Sequence, residues 1–140
     1  MRFLYEIISF PDKVEGYSLT AYAEGTLRLL IGSVVFLDAS GILLVEFAIV
    51  LKKWLLSLED GPVDLYYASM DFEEEPVLAL RYNAVQDEFL PESVWAKSDP
   101  LPISLGEAKS AADAYLAELG EELRTKYGAD LNKVLEEAVR

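Results

Sequence analysis

Residues 42–58, ILLVEFAIVLKKWLLSL, constrain the fold more than any other stretch of the chain. Apolar and polar positions do not alternate there, which argues against a strand. In a helix, Glu46, Val50, Lys53 and Ser57 fall at i, i+4, i+7 and i+11 and form one narrow stripe. Nearly every other position is apolar, Lys52 being the exception. A helix apolar around most of its circumference must be covered on more than one side. The pattern therefore predicts a central helix lying on a sheet and roofed by another helix. Trp54 is expected to be buried against the sheet, with Glu46 and Lys53 sharing an exposed edge. Three charges in 17 residues make this run too short and too charged to span a bilayer.

The flanking sequence supplies the sheet. Arg2 to Phe10 is rich in aromatic and β-branched residues and reads as a strand, followed by a turn at Pro11–Gly16. Tyr17 to Ala23 alternates, and Leu27, Leu29 and Ile31 continue an apolar face past Gly25, a candidate bulge. Gly32-Ser33 is a two-residue turn into Val34–Leu37, giving a hairpin. Asp38–Gly41 should end the sheet segment, with Ser40 capping the central helix. Glu59-Asp60-Gly61-Pro62 stops that helix.

Three further strands are expected at Val63–Met70, Val77–Tyr82 and Phe89–Lys97, with Pro91 forcing a break or an edge position in the last. Ser104-Leu105-Gly106-Glu107 has the spacing of a capping box. The helix it opens would bury Leu105, Ala108, Ala112, Tyr115, Leu116, Leu119 and Leu123. Lys109–Asp113 and Glu122–Lys126 are spaced as i,i+4 ion pairs. Gly120 allows a kink or close packing, Tyr127-Gly128 ends the helix, and Asp130 caps a short final one. The expectation is a single α+β domain over residues 1–140, an antiparallel sheet of about six strands. Its order would be βββ-α-βββ-αα, packed on the central helix with the C-terminal helices beside it.

Composition narrows the chemistry. The chain has no cysteine and no histidine. That removes disulfides, thiol nucleophiles, thiolate metal sites and the Ser-His and Cys-His arrangements, and it fits a reducing compartment. Met1-Arg2 followed by an apolar run looks like a leader. However, Glu6 interrupts the run and Pro11-Asp12-Lys13 stands where a cleavage site belongs. A cytoplasmic location is the expectation.

Charge is the functional signal. The formal charge is −13, and residues 59–92 carry ten acids against the lone Arg81, a net −9. Such a field repels nucleic acid and anionic membrane and attracts a basic protein. Asp71, Glu73 and Glu75 alternate and could offer oxygen ligands to a hard cation, but the glycine and spacing of an EF-hand are missing. A solvated acidic loop is the preferred reading. Paired carboxylates about 5–10 Å apart can run glycoside hydrolysis, although a chain this short has little room for a sugar cleft. Glu46 is the one acid placed on a largely buried helix, and an exposed edge is preferred for it. No catalytic residue, cofactor or metal is assigned. Aromatics beside charges are what a protein-binding surface looks like. The candidate partner-binding residues are Asp64, Tyr66, Asp71, Glu73, Glu74, Glu75, Asp87, Glu88 and Trp95, with Tyr66 or Trp95 as anchor.

One stretch carries a resemblance. Trp54-Leu55, the segment Asp64 to Leu78 (DLYYASMDFEEEPVL) and Ser93-Val94-Trp95 resemble a group of small acidic bacterial domains of unknown function. These look like the α+β immunity proteins of polymorphic toxin systems, and the similarity spans about residues 42–125. The resemblance implies a non-enzymatic inhibitor that binds its own toxin stoichiometrically, the partner being a basic toxin domain such as a nuclease. The alternatives are a housekeeping or structural domain without a toxin partner, and a small carboxylate acid/base enzyme.

Overall fold

A computed structural model describes residues 1–14 and 17–140. Glu15 and Gly16, the end of the turn expected at Pro11–Gly16, lie outside the described residues. The elements run β1 (Arg2–Ser9), α1 (Tyr17–Tyr22), β2 (Glu24–Ile31), β3 (Val34–Leu43), α2 (Leu44–Ser57), β4 (Leu65–Tyr67), β5 (Leu78–Asn83), β6 (Glu88–Glu92), α3 (Leu105–Tyr127) and α4 (Leu131–Ala138). A single 3₁₀ turn, Leu58–Asp60, follows α2. The α+β class, the six strands and the central helix all hold.

The strands do not form one sheet. They form two antiparallel three-stranded sheets, β1-β2-β3 and β4-β5-β6. The free edge of β3 is taken by the segment after β6, where Lys97 N donates to Phe36 O at 2.8 Å and Ser98 Oγ to Val35 O at 3.1 Å. With that edge occupied, β4 pairs only with β5, and does so over Leu65–Tyr67 rather than Val63–Met70. The last strand likewise stops at Glu92, because Ser93–Lys97 turns away to reach β3. Pro91 sits in the edge strand β6, opposite Leu80, where a missing N–H costs the ladder nothing.

Two local readings change. Tyr17–Tyr22 is helix, not strand. Of the alternating set only Leu19 and Ala23 are buried, and they are four residues apart, which is one helical turn. Ala23 N closes that turn on Leu19 O at 3.2 Å. Nor does Ser40 cap α2. Strand β3 continues through Asp38 and Ala39, paired with Arg28 and Leu27, and on to Leu43. The first helical N–H, that of Leu44, donates instead to Ala23 O at 3.0 Å, so the end of α1 supplies the acceptor.

Gly25 sits at the expected irregularity: the β2–β3 register shifts between Gly25 and Leu27. Its absent side chain is a requirement, since a Cβ there would run into the Glu6 carbonyl oxygen on β1.

Helix α2 is covered on three sides. Phe47 meets Phe3 of the first sheet at 5.3 Å between ring centroids, Tyr67 of the second at 5.0 Å and Tyr115 of α3 at 5.2 Å. Tyr115 also donates to Leu44 O at 2.7 Å. Trp54 is 4% exposed, packs edge-on against Phe89 and donates through Nε1 to Val63 O at 2.9 Å. The capping box at Ser104–Glu107 is formed, and Asp130 caps α4. Gly120 lies against Leu131, so it serves helix packing. Of the two expected ion pairs, Glu122–Lys126 forms at 3.6 Å. Lys109 and Asp113 are both exposed and make none among the described residues, water competing for each. No helix among the described residues is long and apolar enough to cross a membrane.

Candidate interaction surface

The second sheet divides its residues by strand alternation. Leu65, Tyr67, Leu78, Leu80, Phe89 and Pro91 point inward and are buried. The opposite set, Asp64, Tyr66, Arg81, Leu90 and Glu92, stands exposed on the outer face. The register places Tyr66 beside Ala79 and Ala79 beside Glu92, with Arg81 beside Leu90.

Arg81 ties this face together. Its Nε lies 2.8 Å from Glu92 Oε2, its Nη1 lies 3.6 Å from Asp64 Oδ2, and its guanidinium sits 5.4 Å from the centroid of the Tyr66 ring. The hydrogen bond to Glu92 raises the Arg81 pKa further. Tyr66 is 42% exposed and donates its hydroxyl to Glu75 Oε1 at 2.8 Å, which raises the phenol pKa. Asp64 also accepts from Tyr82 N at 2.7 Å, extending the ladder past β4. Beside Tyr66, an open groove of about 370 Å³ runs between β4 and the polar stripe of α2, with Val50, Lys53 and Ser57 on one wall.

The acidic loop after β4 is anchored from behind. Tyr67 hydroxyl donates to Glu46 Oε1 at 2.8 Å, and Met70 N donates to Glu46 Oε2 at 3.3 Å. Burial, followed by the Glu46 charge, pushes the Tyr67 phenol well above its ordinary value. Ser69 Oγ accepts from Asp71 N at 3.2 Å. Glu46 is therefore half-buried and acts as a buttress, whereas the polar stripe alone predicts an exposed edge shared with Lys53. From this base Asp71, Glu73, Glu74 and Glu75 all project into solvent. Among the described residues, no three acidic side chains converge as a metal would need.

The remaining expected site residues are dispersed. Asp87 lies at the β5–β6 turn and accepts the Tyr82 hydroxyl at 2.6 Å. Glu88 is half-buried at the start of β6, opposite Asn83. Trp95 is not an exposed anchor: it is half-buried, edge-on to Phe72 at 4.9 Å, behind the acidic loop. Phe72 in turn reaches β3, where a Cβ at Gly41 would come within 3.4 Å of its ring. Trp95 is thus a strut between the two sheets.

Arg81, Leu90, Glu92 and Glu46 belong to the surface or its support, although the sequence does not mark them as partner-binding residues. The first three follow from alternation once the hairpin register is drawn from Tyr66. Glu46 carries no such signal, because its partners lie 21 and 24 residues away.

A family model described as a domain of unknown function (DUF7878) matches residues 3–125. No curated protein and no solved structure matches the chain.

Proposed function

The chain belongs to the DUF7878 family, domains of unknown function, and from that premise we propose that it is a cytoplasmic, immunity-type inhibitor of a basic toxin domain. The observation that carries this reading is the outer face of the second sheet: one exposed tyrosine bordered by Asp64, Glu75 and Glu92, beside a loop with four acids in five positions. Arg81, the only base between residues 59 and 92, is already engaged by Asp64 and Glu92. The surface therefore presents uncompensated negative charge around an aromatic centre.

That combination suits a protein partner. Aromatic anchors supply contact energy when they enter a partner's pocket, and surrounding charge steers the encounter. A nuclease toxin fits the sign, because a surface that binds nucleic acid is basic. Inhibition would be stoichiometric: the acidic face covers the basic site and keeps substrate out. Nucleic acid and anionic membranes are repelled by the same field.

The test uses the toxin domain encoded beside this chain in its host. Co-expression should protect a sensitive cell, and native mass spectrometry should show a one-to-one complex. Tyr66→Ala should then speed dissociation, with a loss on the order of 2 kcal/mol if Tyr66 is the anchor. If the neighbouring product is neither bound nor neutralised, the acidic face is a solubility feature and a housekeeping role takes its place.

A further inference from the structure

We propose that this protein forms a two-fold symmetric dimer through the outer edge of β1, joining two three-stranded sheets into one of six strands. The inference is independent of the toxin reading. Strand β1 is an edge strand, paired on one side with β2 from Arg2 to Ser9. Among the described residues, no backbone group on its other side makes a main-chain hydrogen bond outside that sheet. An unpaired edge of this length is a template for another strand.

The occupant is identified by charge. Arg2, Leu4, Glu6 and Ile8 share the solvent face of β1, opposite buried Phe3. If two copies pair antiparallel about Leu4, then Leu4 faces Leu4, and Arg2 of each copy faces Glu6 of the other. Sliding either strand by two residues sets Arg2 against Ile8 or against Leu4 and loses both ion pairs. The sequence of β1 is therefore complementary to itself in one register. Arg2 does have an intramolecular neighbour, Glu118, but at 3.9 Å between exposed groups that contact is weak and exchangeable. On the inner side, half-buried Tyr5, whose hydroxyl donates to Glu122 of α3 at 3.0 Å, would take the position opposite Phe3 of the second copy.

Position in the molecule supports the same edge. The other edge of this sheet, on β3, is closed by Lys97 and Ser98 and leads to the second sheet with its acidic loop. The edge on β1 lies at the opposite side of this sheet from that loop, with Glu118 and Glu122 of α3 beside it, held by Arg2 and Tyr5. Pairing there keeps the two acidic loops apart, which matters for a chain with net charge −13.

Sedimentation equilibrium of the native chain, from micromolar to submillimolar concentration, should show a monomer–dimer equilibrium. Arg2→Glu or Glu6→Arg alone places like charges opposite one another twice and should weaken the dimer about tenfold. The double swap should restore it. Hydrogen exchange on the unaltered chain gives a check that needs no variant: the β1 amides should become protected as concentration rises. A chain that stays monomeric throughout overturns the proposal. So does a dimer indifferent to the single swaps, or one that leaves β1 exchange unchanged.

Discussion

Glu46 holds two donors on two oxygens, and one of them is the hydroxyl of a fully buried tyrosine. Replacing Glu46 by Ala leaves that hydroxyl buried without its acceptor, which costs about 1–3 kcal/mol. Gln keeps one acceptor oxygen and should recover part of the loss in denaturant unfolding. Trp54→Ala empties a large aromatic site and abandons the bond to Val63, so about 3–5 kcal/mol should disappear in the same measurement. The tyrosines also make stability depend on alkaline pH. Burial holds the phenols of Tyr67 and Tyr115 above their ordinary value of about 10. Below pH 10 both folded and unfolded chains keep these protons. Above it the unfolded chain ionises first, and folding becomes less favourable by up to about 1.4 kcal/mol per pH unit for each such group. Urea unfolding between mildly and strongly alkaline pH should show this decline, and Tyr67→Phe should make it shallower.

At the scale of elements, β1 and β2 are locked by contact too close for a side chain. Gly25→Ala drives a methyl group into the Glu6 carbonyl, a backbone atom that cannot rotate away. The loss should be on the order of 4 kcal/mol or more, visible as a collapse of the thermal transition. Elements with local signals were legible in the sequence. The apolar circumference of α2, the Gly32-Ser33 turn, the Ser104 capping box and the edge position of Pro91 each announce themselves within a few residues. Elements decided at a distance were not. Helix α1 competes with an alternating strand pattern and wins because Leu19 and Ala23 pack on one side. The N-terminus of α2 finds its acceptor in Ala23 rather than in nearby Ser40. The division into two sheets depends on Lys97 and Ser98 reaching β3, a pairing that spans more than sixty residues. The candidate surface is divided in the same way. Tyr66 and the loop acids stand out in composition, whereas separating exposed Tyr66 from half-buried Trp95 needs the packing of Phe72.

Across the whole molecule, the negative charge gathers on the second sheet and its loop, and the aromatic core lies on the other side of that sheet. Replacing Glu73, Glu74 and Glu75 by Lys should leave circular dichroism and melting cooperativity intact, since all three are exposed. Association with a basic partner should slow, and its rate should respond less to salt. Stopped-flow binding at two ionic strengths reads both effects, and a variant that associates at the native rate removes the loop from the encounter. The alternation of β4, β5 and β6 has an evolutionary consequence as well. Inward residues such as Leu65, Leu80 and Phe89 answer to the core, while Tyr66, Leu90 and Glu92 lie on the exposed face outside it. The two sets are interleaved along the chain yet face opposite sides of the sheet. Substitutions in the outer set can therefore accumulate one position at a time, changing the chemistry of that face while the core stays filled.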